Sequence, residues 1–162
     1  MEKETPPSEA MGLVNLASPR MGTEIHSVSD DFFAEAPRML QDTIPVFVPD
    51  KFDDNGKWMD GWESRRRRQG GNDWCIIKLG VPGVIRLVDI NTAHFTGNYP
   101  PGAMIEAGHS ADGDISKVEW KTLVGQVDLG PDSHHILPTN TLGPVNMVCL
   151  LYTSDAADER LS

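Results

Sequence analysis

The sequence predicts an all-β fold, in the form of a β-sandwich. Its 162 residues include 15 glycines and 12 prolines spread along the chain, which is typical of many short elements joined by turns. Residues 73–79 and 84–91 are short runs rich in Ile and Val and flanked by Gly or Pro, and such runs favour strands over helices. The connections are too short for helical crossovers, so the sheets should be mainly antiparallel. Two packed antiparallel sheets are the simplest arrangement that satisfies these observations.

The first third of the chain predicts weaker elements. Residues 1–11 are polar and acidic, and we expect them to be disordered. Residues 30–40 predict one short helix, capped by Asp30 or Asp31, which Pro37 either begins or cuts short. Residues 45–49 predict a short strand between prolines.

A polar loop and three further strands complete the prediction. Residues 51–62 are rich in Asp, Gly and aromatic side chains, as expected of a loop. Weaker strand signals follow at residues 104–107, 120–124 and 134–137.

Composition and charge exclude several classes of function. The net charge is −10 and the pI is about 4.8, whereas nucleic-acid binding needs a surplus of Lys and Arg. No apolar run approaches the roughly 20 residues of a membrane span, and the N-terminus lacks the features of a secretory signal. Cys75 lies in an apolar run, which indicates a buried, reduced thiol. We therefore predict a cytoplasmic protein without nucleic-acid or membrane partners.

Two segments carry the clearest motifs, Gly56-Lys-Trp-Met-Asp-Gly-Trp-Glu-Ser-Arg-Arg-Arg-Arg68 and Asn72-Asp-Trp-Cys-Ile-Ile-Lys-Leu-Gly80. Both resemble the signature segments of allantoicases. The resemblance covers residues 12–148, with Trp and Gly in register throughout. Other matching stretches are residues 13–18, 29–33, 82–86, 89–92, 94–100 and 129–134.

The resemblance implies both a fold and a reaction. Allantoicases split allantoate into ureidoglycolate and urea during purine breakdown, and they carry two similar repeats. Each repeat is a jelly-roll β-sandwich like the galactose-binding domains. We therefore expect residues 12–148 to be a first repeat that is incomplete at its C-terminus, inactive by itself and part of a longer enzyme. The sequence leaves the cofactor requirement unknown and the oligomeric state open, a homo-oligomer included.

A different class of function fits the same fold, because many galactose-binding-like sandwiches are non-catalytic ligand-binding modules. The segment from Asp60 to Arg68 discriminates between the two classes. It matches allantoicases and is not a general feature of the binding modules, so the sequence favours the enzyme.

The end of the chain departs from the family pattern. The string Cys149-Leu-Leu-Tyr-Thr-Ser-Asp-Ala-Ala-Asp-Glu159 resembles the translation of a sequencing adapter read through into the gene. We therefore interpret residues 149–162 as a non-native tail, without a paired, buried role in the fold.

The resemblance and the substrate's chemistry together indicate substrate-binding residues. Allantoate is a carboxylate, and the run Arg65, Arg66, Arg67 and Arg68 offers guanidinium groups that bind carboxylates bidentately. A solvated basic face is the alternative for any one of these arginines. Asp60 and Asp73 flank the run as further candidates for contacts with the substrate, or as partners in ion pairs.

Two residues are candidates for catalysis. Glu63 can act as a base or orienting group, and His94 can exchange a proton near neutral pH. Asn98 can bind a ureido carbonyl or shape a turn. Structural roles stay open for all three. No metal-ligand spacing is present, so the sequence predicts no metal site.

Overall fold

The structure is a computed structural model that describes residues 3–65 and 71–153. Within these ranges, every strand pairing is antiparallel. The strands are β1 Glu24–Val28, β2 Phe52–Asp53, β3 Gly56–Lys57, β4 Asp73–Gly83, β5 Leu87–Asn91, β6 Gly102–Gly108, β7 Lys121–Asp128, β8 His134–Pro138 and β9 Val145–Thr153. Short 3-10 helices span Ser8–Ala10, Pro19–Met21, Ala36–Leu40 and Ile115–Lys117.

The strands form two layers, as the sequence predicts. One layer is a five-stranded sheet in the order β1-β4-β9-β6-β7, and the second is the pair β5-β8. Val88, Ile90 and Leu137 of the pair pack against the core of the larger sheet. The hairpin β2-β3 lies apart from both sheets. The described part of the chain is thus an all-β sandwich.

The long strand β4 supplies the centre of the core. Cys75, Ile77 and Leu79 are buried at alternate positions, as the period of a strand requires. They pack with Ile105 and Leu123 from β6 and β7. Burying each large apolar side chain stabilises the fold by about 1.5–3 kcal/mol.

Two local predictions between residues 30 and 49 are wrong. The predicted helix at residues 30–40 is only the 3-10 helix Ala36–Leu40, which has Pro37 in its first turn. Asp31 accepts a hydrogen bond from the backbone N–H of Ala36 (3.1 Å), as a capping residue would. Residues 45–49 form no strand, and the N–H of Val46 bonds the side chain of Asp60 instead (3.0 Å).

The N-terminal segment contacts the fold, although the sequence predicts disorder there. Lys3 forms a β-bridge with Thr43, and the N–H of Glu4 donates to the carbonyl of Asp42 at 2.9 Å. The Glu4 carboxylate also lies 3.2 Å from His134 Nε2. Local composition favours disorder here, but these contacts with distant residues fix the segment.

The segment after Val148 has a paired and buried role up to Thr153, so the expectation of an unpaired tail is wrong for residues 149–153. These residues complete β9, which lies between β4 and β6 and pairs with both. Cys149 and Tyr152 are buried there. Residues 154–162 lie outside the described residues. The adapter origin of residues 149–162 stays a prediction, which the sequence of the uninterrupted gene tests.

Both cysteines are buried free thiols, which confirms the prediction for Cys75. Burial raises the pKa of Cys75 to about 12 and that of Cys149 to about 11. Each therefore stays protonated at neutral pH. No helix in the described ranges is long and apolar enough to cross a membrane.

Candidate active site

Glu63 and Asn98 meet in the folded chain although 35 residues separate them. The side-chain amide of Asn98 donates a hydrogen bond of 2.6 Å to Glu63 Oε2. The Glu63 backbone exchanges hydrogen bonds of 3.0 Å in both directions with Ala34. The carboxylate is thus held by its own main chain and by a neighbouring loop.

These two side chains line a small cavity of about 220 Å³. Buried Met59 and half-buried Phe33 give it an apolar side, while Lys57, Glu63 and Asn98 supply the polar groups. Drug-sized ligands occupy roughly 300–1,000 Å³, so this cavity suits a small metabolite.

Two local structures position the walls of the cavity. In the β2-β3 hairpin, the side chain of Asn55 donates a hydrogen bond of 2.9 Å to the carbonyl of Phe32. This contact holds Gly56 and Lys57 beside the segment that carries Phe33. The loop before Asn98 is held by Asp132, whose side chain accepts a 2.7 Å hydrogen bond from the N–H of His94.

The pKa of Glu63 lies above its ordinary value. Burial is the largest cause, and it outweighs the Asn98 hydrogen bond and the charge of Lys57, which both lower the pKa. A carboxyl group with a raised pKa exchanges a proton more readily near neutral pH than an ordinary glutamate. The contact with Asn98 and the raised pKa therefore both support the predicted role of Glu63 as a base or orienting group.

His94 lies outside the lining of this cavity. Its Nε2 is 3.1 Å from the carbonyl oxygen of Pro45, and its ring stacks on Phe47 with centroids 5.8 Å apart. Its backbone φ of 68° is uncommon for a residue other than glycine. These contacts fit the structural role that the sequence left open.

Arg65 forms an ion pair with Asp30 within the protein. Its guanidinium binds Asp30 at 2.8 and 3.1 Å and lies over the ring of Phe32. Burial alone would raise the pKa of Asp30, but the Arg65 contacts outweigh it and lower that pKa. Arg66, Arg67 and Arg68 lie outside the described residues, so their proposed contact with substrate stays a prediction.

The two candidate aspartates serve the scaffold in this structure. Asp60 accepts the Val46 N–H, and neither Asp60 nor Asp73 lines the cavity. Asp73 is buried and accepts hydrogen bonds from Ser29 Oγ (2.9 Å) and Ser64 Oγ (3.2 Å). In the described part of the chain, no three His, Cys, Asp or Glu side chains converge as metal ligands would.

The sequence predictions missed four lining residues, Phe33, Gly56, Lys57 and Met59. Lys57 and Met59 belong to the motif segment at residues 56–68, so their position in the motif was the available signal. The four adjacent arginines are a more conspicuous source of positive charge than the single lysine.

Comparisons with known proteins agree with this fold. A model of the allantoicase repeat matches residues 14–161. A probable allantoicase of Acinetobacter baumannii (strain ACICU) is 56% identical over 126 residues, which are 78% of this chain and 38% of that protein. The crystal structure of an allantoicase from Saccharomyces cerevisiae has a TM-score of 0.74 at 31% identity, covering 86% of this chain and 44% of that one.

The fold also occurs outside this family. A chitosan-binding module from Paenibacillus sp. IK-5 superposes with a TM-score of 0.53 at 16% identity, which shows the fold alone. Fold and site thus define a galactose-binding-like β-sandwich with a small cavity that has an apolar side and three polar side chains. The match over residues 14–161 and the 56% identity show more: the chain belongs to the allantoicase family.

Proposed function

We propose that this chain is part of a longer, two-repeat enzyme that hydrolyses allantoate to ureidoglycolate and urea in purine catabolism. The chain spans 38% of the length of the probable allantoicase from Acinetobacter baumannii that it matches. The observation that carries the proposal is the Glu63–Asn98 pair in a small cavity, within the segment that matches the family. A non-catalytic sandwich module has no need of a half-buried carboxylate with a raised pKa at such a site.

The reaction breaks one carbon–nitrogen bond. The central carbon of allantoate carries a carboxylate and two ureido groups. Water supplies the hydroxyl that bonds this carbon and the proton that the departing ureido nitrogen needs, so the products are ureidoglycolate and urea. A side chain that accepts a proton from water and passes it to the leaving nitrogen accelerates both events.

Glu63 is suited to this proton transfer. Its raised pKa brings the protonated and ionised forms closer in population near neutral pH, so that one group can accept and then donate the proton. Asn98 fixes one carboxylate oxygen and keeps its carbonyl oxygen and a second N–H for a ureido group.

The remaining predicted groups complete the proposal. Arg66, Arg67 and Arg68 are candidates for further contacts with the anionic substrate. The acid surplus, with a net charge of −10, supports a small-molecule partner rather than nucleic acid. We place the enzyme in the cytoplasm. The intact enzyme can form a homo-oligomer.

The first prediction is that the full-length enzyme releases urea and ureidoglycolate from allantoate, and that Glu63→Gln lowers kcat by about 10²–10⁴-fold. Gln keeps the size of the side chain and removes the proton-transfer group. Steady-state assays that quantify both products, on wild type and variant, measure the effect.

A matched control is Glu24→Gln, because Glu24 is exposed on β1 and outside the cavity lining. It should leave kcat unchanged. If well-folded wild-type enzyme is inactive on allantoate with common divalent metals supplied, the proposed reaction is wrong. If E63Q keeps full activity, the reaction can stand but its assignment to Glu63 fails.

A further inference from the structure

Resting on the proposed function, we propose that the ammonium group of Lys57 binds the carboxylate of the substrate at the rim of the Glu63–Asn98 cavity. Lys57 lines this cavity together with both residues. The carboxylate anchor is then a single lysine of the β2-β3 hairpin, in place of Arg65 of the arginine run.

The first support is the position of Lys57. It ends strand β3, and its side chain is exposed, so the ammonium group can meet a ligand without breaking the core. Its Nζ lies 4.7 Å from the ring centroid of Phe47, a cation–π contact that restricts the side chain. The charge is also felt at Glu63, whose pKa it lowers against the effect of burial.

The second support is that no carboxylate in the described residues pairs directly with the Lys57 ammonium group. Within residues 3–65 and 71–153, Lys57 forms no ion pair, whereas Arg65 is held by Asp30 and Lys117 by Asp112. A cation already paired with a carboxylate has fewer free donors, and its charge is partly neutralised, so it attracts a second carboxylate less strongly. Because this chain carries a net charge of −10, an anionic substrate also needs a local positive group at its site.

The third support is the shape of the substrate. All three substituents of allantoate branch from one carbon, so fixing the carboxylate at the rim directs the ureido groups into the cavity. That orientation presents the reacting carbon–nitrogen bond to Glu63 and Asn98. Lys57 thus acts as a binding residue that orients the bond, with no part in the proton transfer.

The test compares two ligands and two lysines in the full-length enzyme. The ligands are ureidoacetate, which has one ureido group and a carboxylate, and its neutral amide. Lys57→Gln should weaken ureidoacetate binding by about tenfold, as expected for a lost hydrogen bond to a charged group. Binding of the neutral amide should be unchanged. Calorimetry measures the binding, and the KM for allantoate should rise in parallel with little change in kcat.

Lys51→Gln is the matched control, because the Lys51 ammonium lies over the Trp58 ring at 4.1 Å and outside the cavity lining. It should behave as wild type, and Lys57→Arg should recover part of the lost affinity. Equal losses for both ligands, an unchanged K57Q variant, or a wild type that does not bind ureidoacetate would each overturn the inference.

These outcomes separate the inference from the proposed function. If K57Q hydrolyses allantoate with a normal KM, the proposed function stands and the carboxylate anchor lies elsewhere. Arg66, Arg67 and Arg68 are then the next candidates. If the enzyme binds ureidoacetate through Lys57 but releases no urea from allantoate, the binding role of Lys57 stands and the proposed reaction is wrong.

Discussion

At the scale of single residues, His134 joins two carboxylates from distant parts of the chain. Its Nδ1 lies 2.7 Å from Asp89 on β5, and its Nε2 lies 3.2 Å from Glu4 of the N-terminal segment. The Asp89 hydrogen bond raises the pKa of His134 above 6.5 and outweighs the opposing effect of burial. Burial is the main cause that raises the pKa of Glu4.

The sign of the pH dependence follows from these directions. Both groups have a folded-state pKa above the unfolded value, so protonation of either group favours the folded state. The His134 contribution is complete below about pH 6.5 and is lost as the pH rises through the folded pKa. The His134 side chain is 47% exposed, so screening by solvent limits the effect to less than about 1 kcal/mol.

The corresponding prediction concerns the unfolding temperature of the chain at pH 6 and pH 8.5. The Tm should fall between these values in the parent, and His134→Gln should reduce that fall because it removes the titrating group. His26→Gln, on an exposed position of β1, is the control and should keep the parental pH dependence. An identical fall in Tm for the parent and H134Q would contradict the account.

At the scale of elements, β4 approaches the turn before β1 so closely that only glycine fits. A Cβ atom on Gly80 would lie 2.0 Å from the carbonyl oxygen of Met21 and 2.7 Å from the Cα of Gly22. Both neighbours are backbone atoms, which cannot rotate away as a side chain can. This close approach lets Thr23 accept the N–H of Gly80 at 3.1 Å.

Gly80→Ala should therefore destabilise the fold by about 1–3 kcal/mol or more, as overpacking does. Denaturant unfolding of the chain measures the change in free energy. Gly125→Ala on β7 is the matched control, since a Cβ there meets nothing within 4 Å, and its stability should be near the parent's. Equal stability of the two variants would show that the Met21 turn moves without cost.

At the scale of the whole molecule, β9 decides whether the five-stranded sheet exists. It lies between β4 and β6, so its removal would separate the sheet into two parts and expose two strand edges. The sequence predicts a poorly folded chain because its last predicted strand is at residues 134–137, whereas the first repeat of the family it resembles continues to further strands. The structure corrects that premise, because β9 follows at Val145–Thr153.

We therefore expect residues 1–162 to unfold in one cooperative transition, and a chain that ends at Val148 to lose it. Domain stability is only about 5–15 kcal/mol, and the shortened chain loses buried Cys149 and Tyr152 together with their backbone pairing. Scanning calorimetry on both chains measures this. If the shortened chain keeps the full transition, residues 149–153 are dispensable; if neither chain shows one, the fragment is poorly folded even with β9 in place.

The sequence alone predicted the parts that depend on local pattern. The apolar run at residues 73–79, rich in Ile and flanked by Gly, and the short connections indicated antiparallel strands, because these signals lie in neighbouring residues. The prediction of a strand at residues 45–49 is wrong because it also rested on local pattern alone. Apolar residues between prolines are typical of a strand, but the Val46 N–H bonds the side chain of Asp60 instead of a neighbouring strand.

The candidate site was predictable only in part. The motif segments indicate Glu63 and Asn98 separately, and those segments alone are enough to identify the family. The contact between the two residues was not predictable, because it depends on two loops that long-range hydrogen bonds position. The sequence did not single out Lys57, because the run from Arg65 to Arg68 is a more conspicuous source of positive charge.

By itself, then, the sequence determined the all-β class, the strand at residues 73–79 and the allantoicase resemblance, since each is encoded in neighbouring residues. Only the tertiary structure decided that Arg65 pairs with Asp30, that Glu63 meets Asn98, and that β9 lies between β4 and β6. Charged groups, polar groups and strand edges contact the groups that the fold places next to them. Their distance in space, rather than in sequence, sets the energy of each contact.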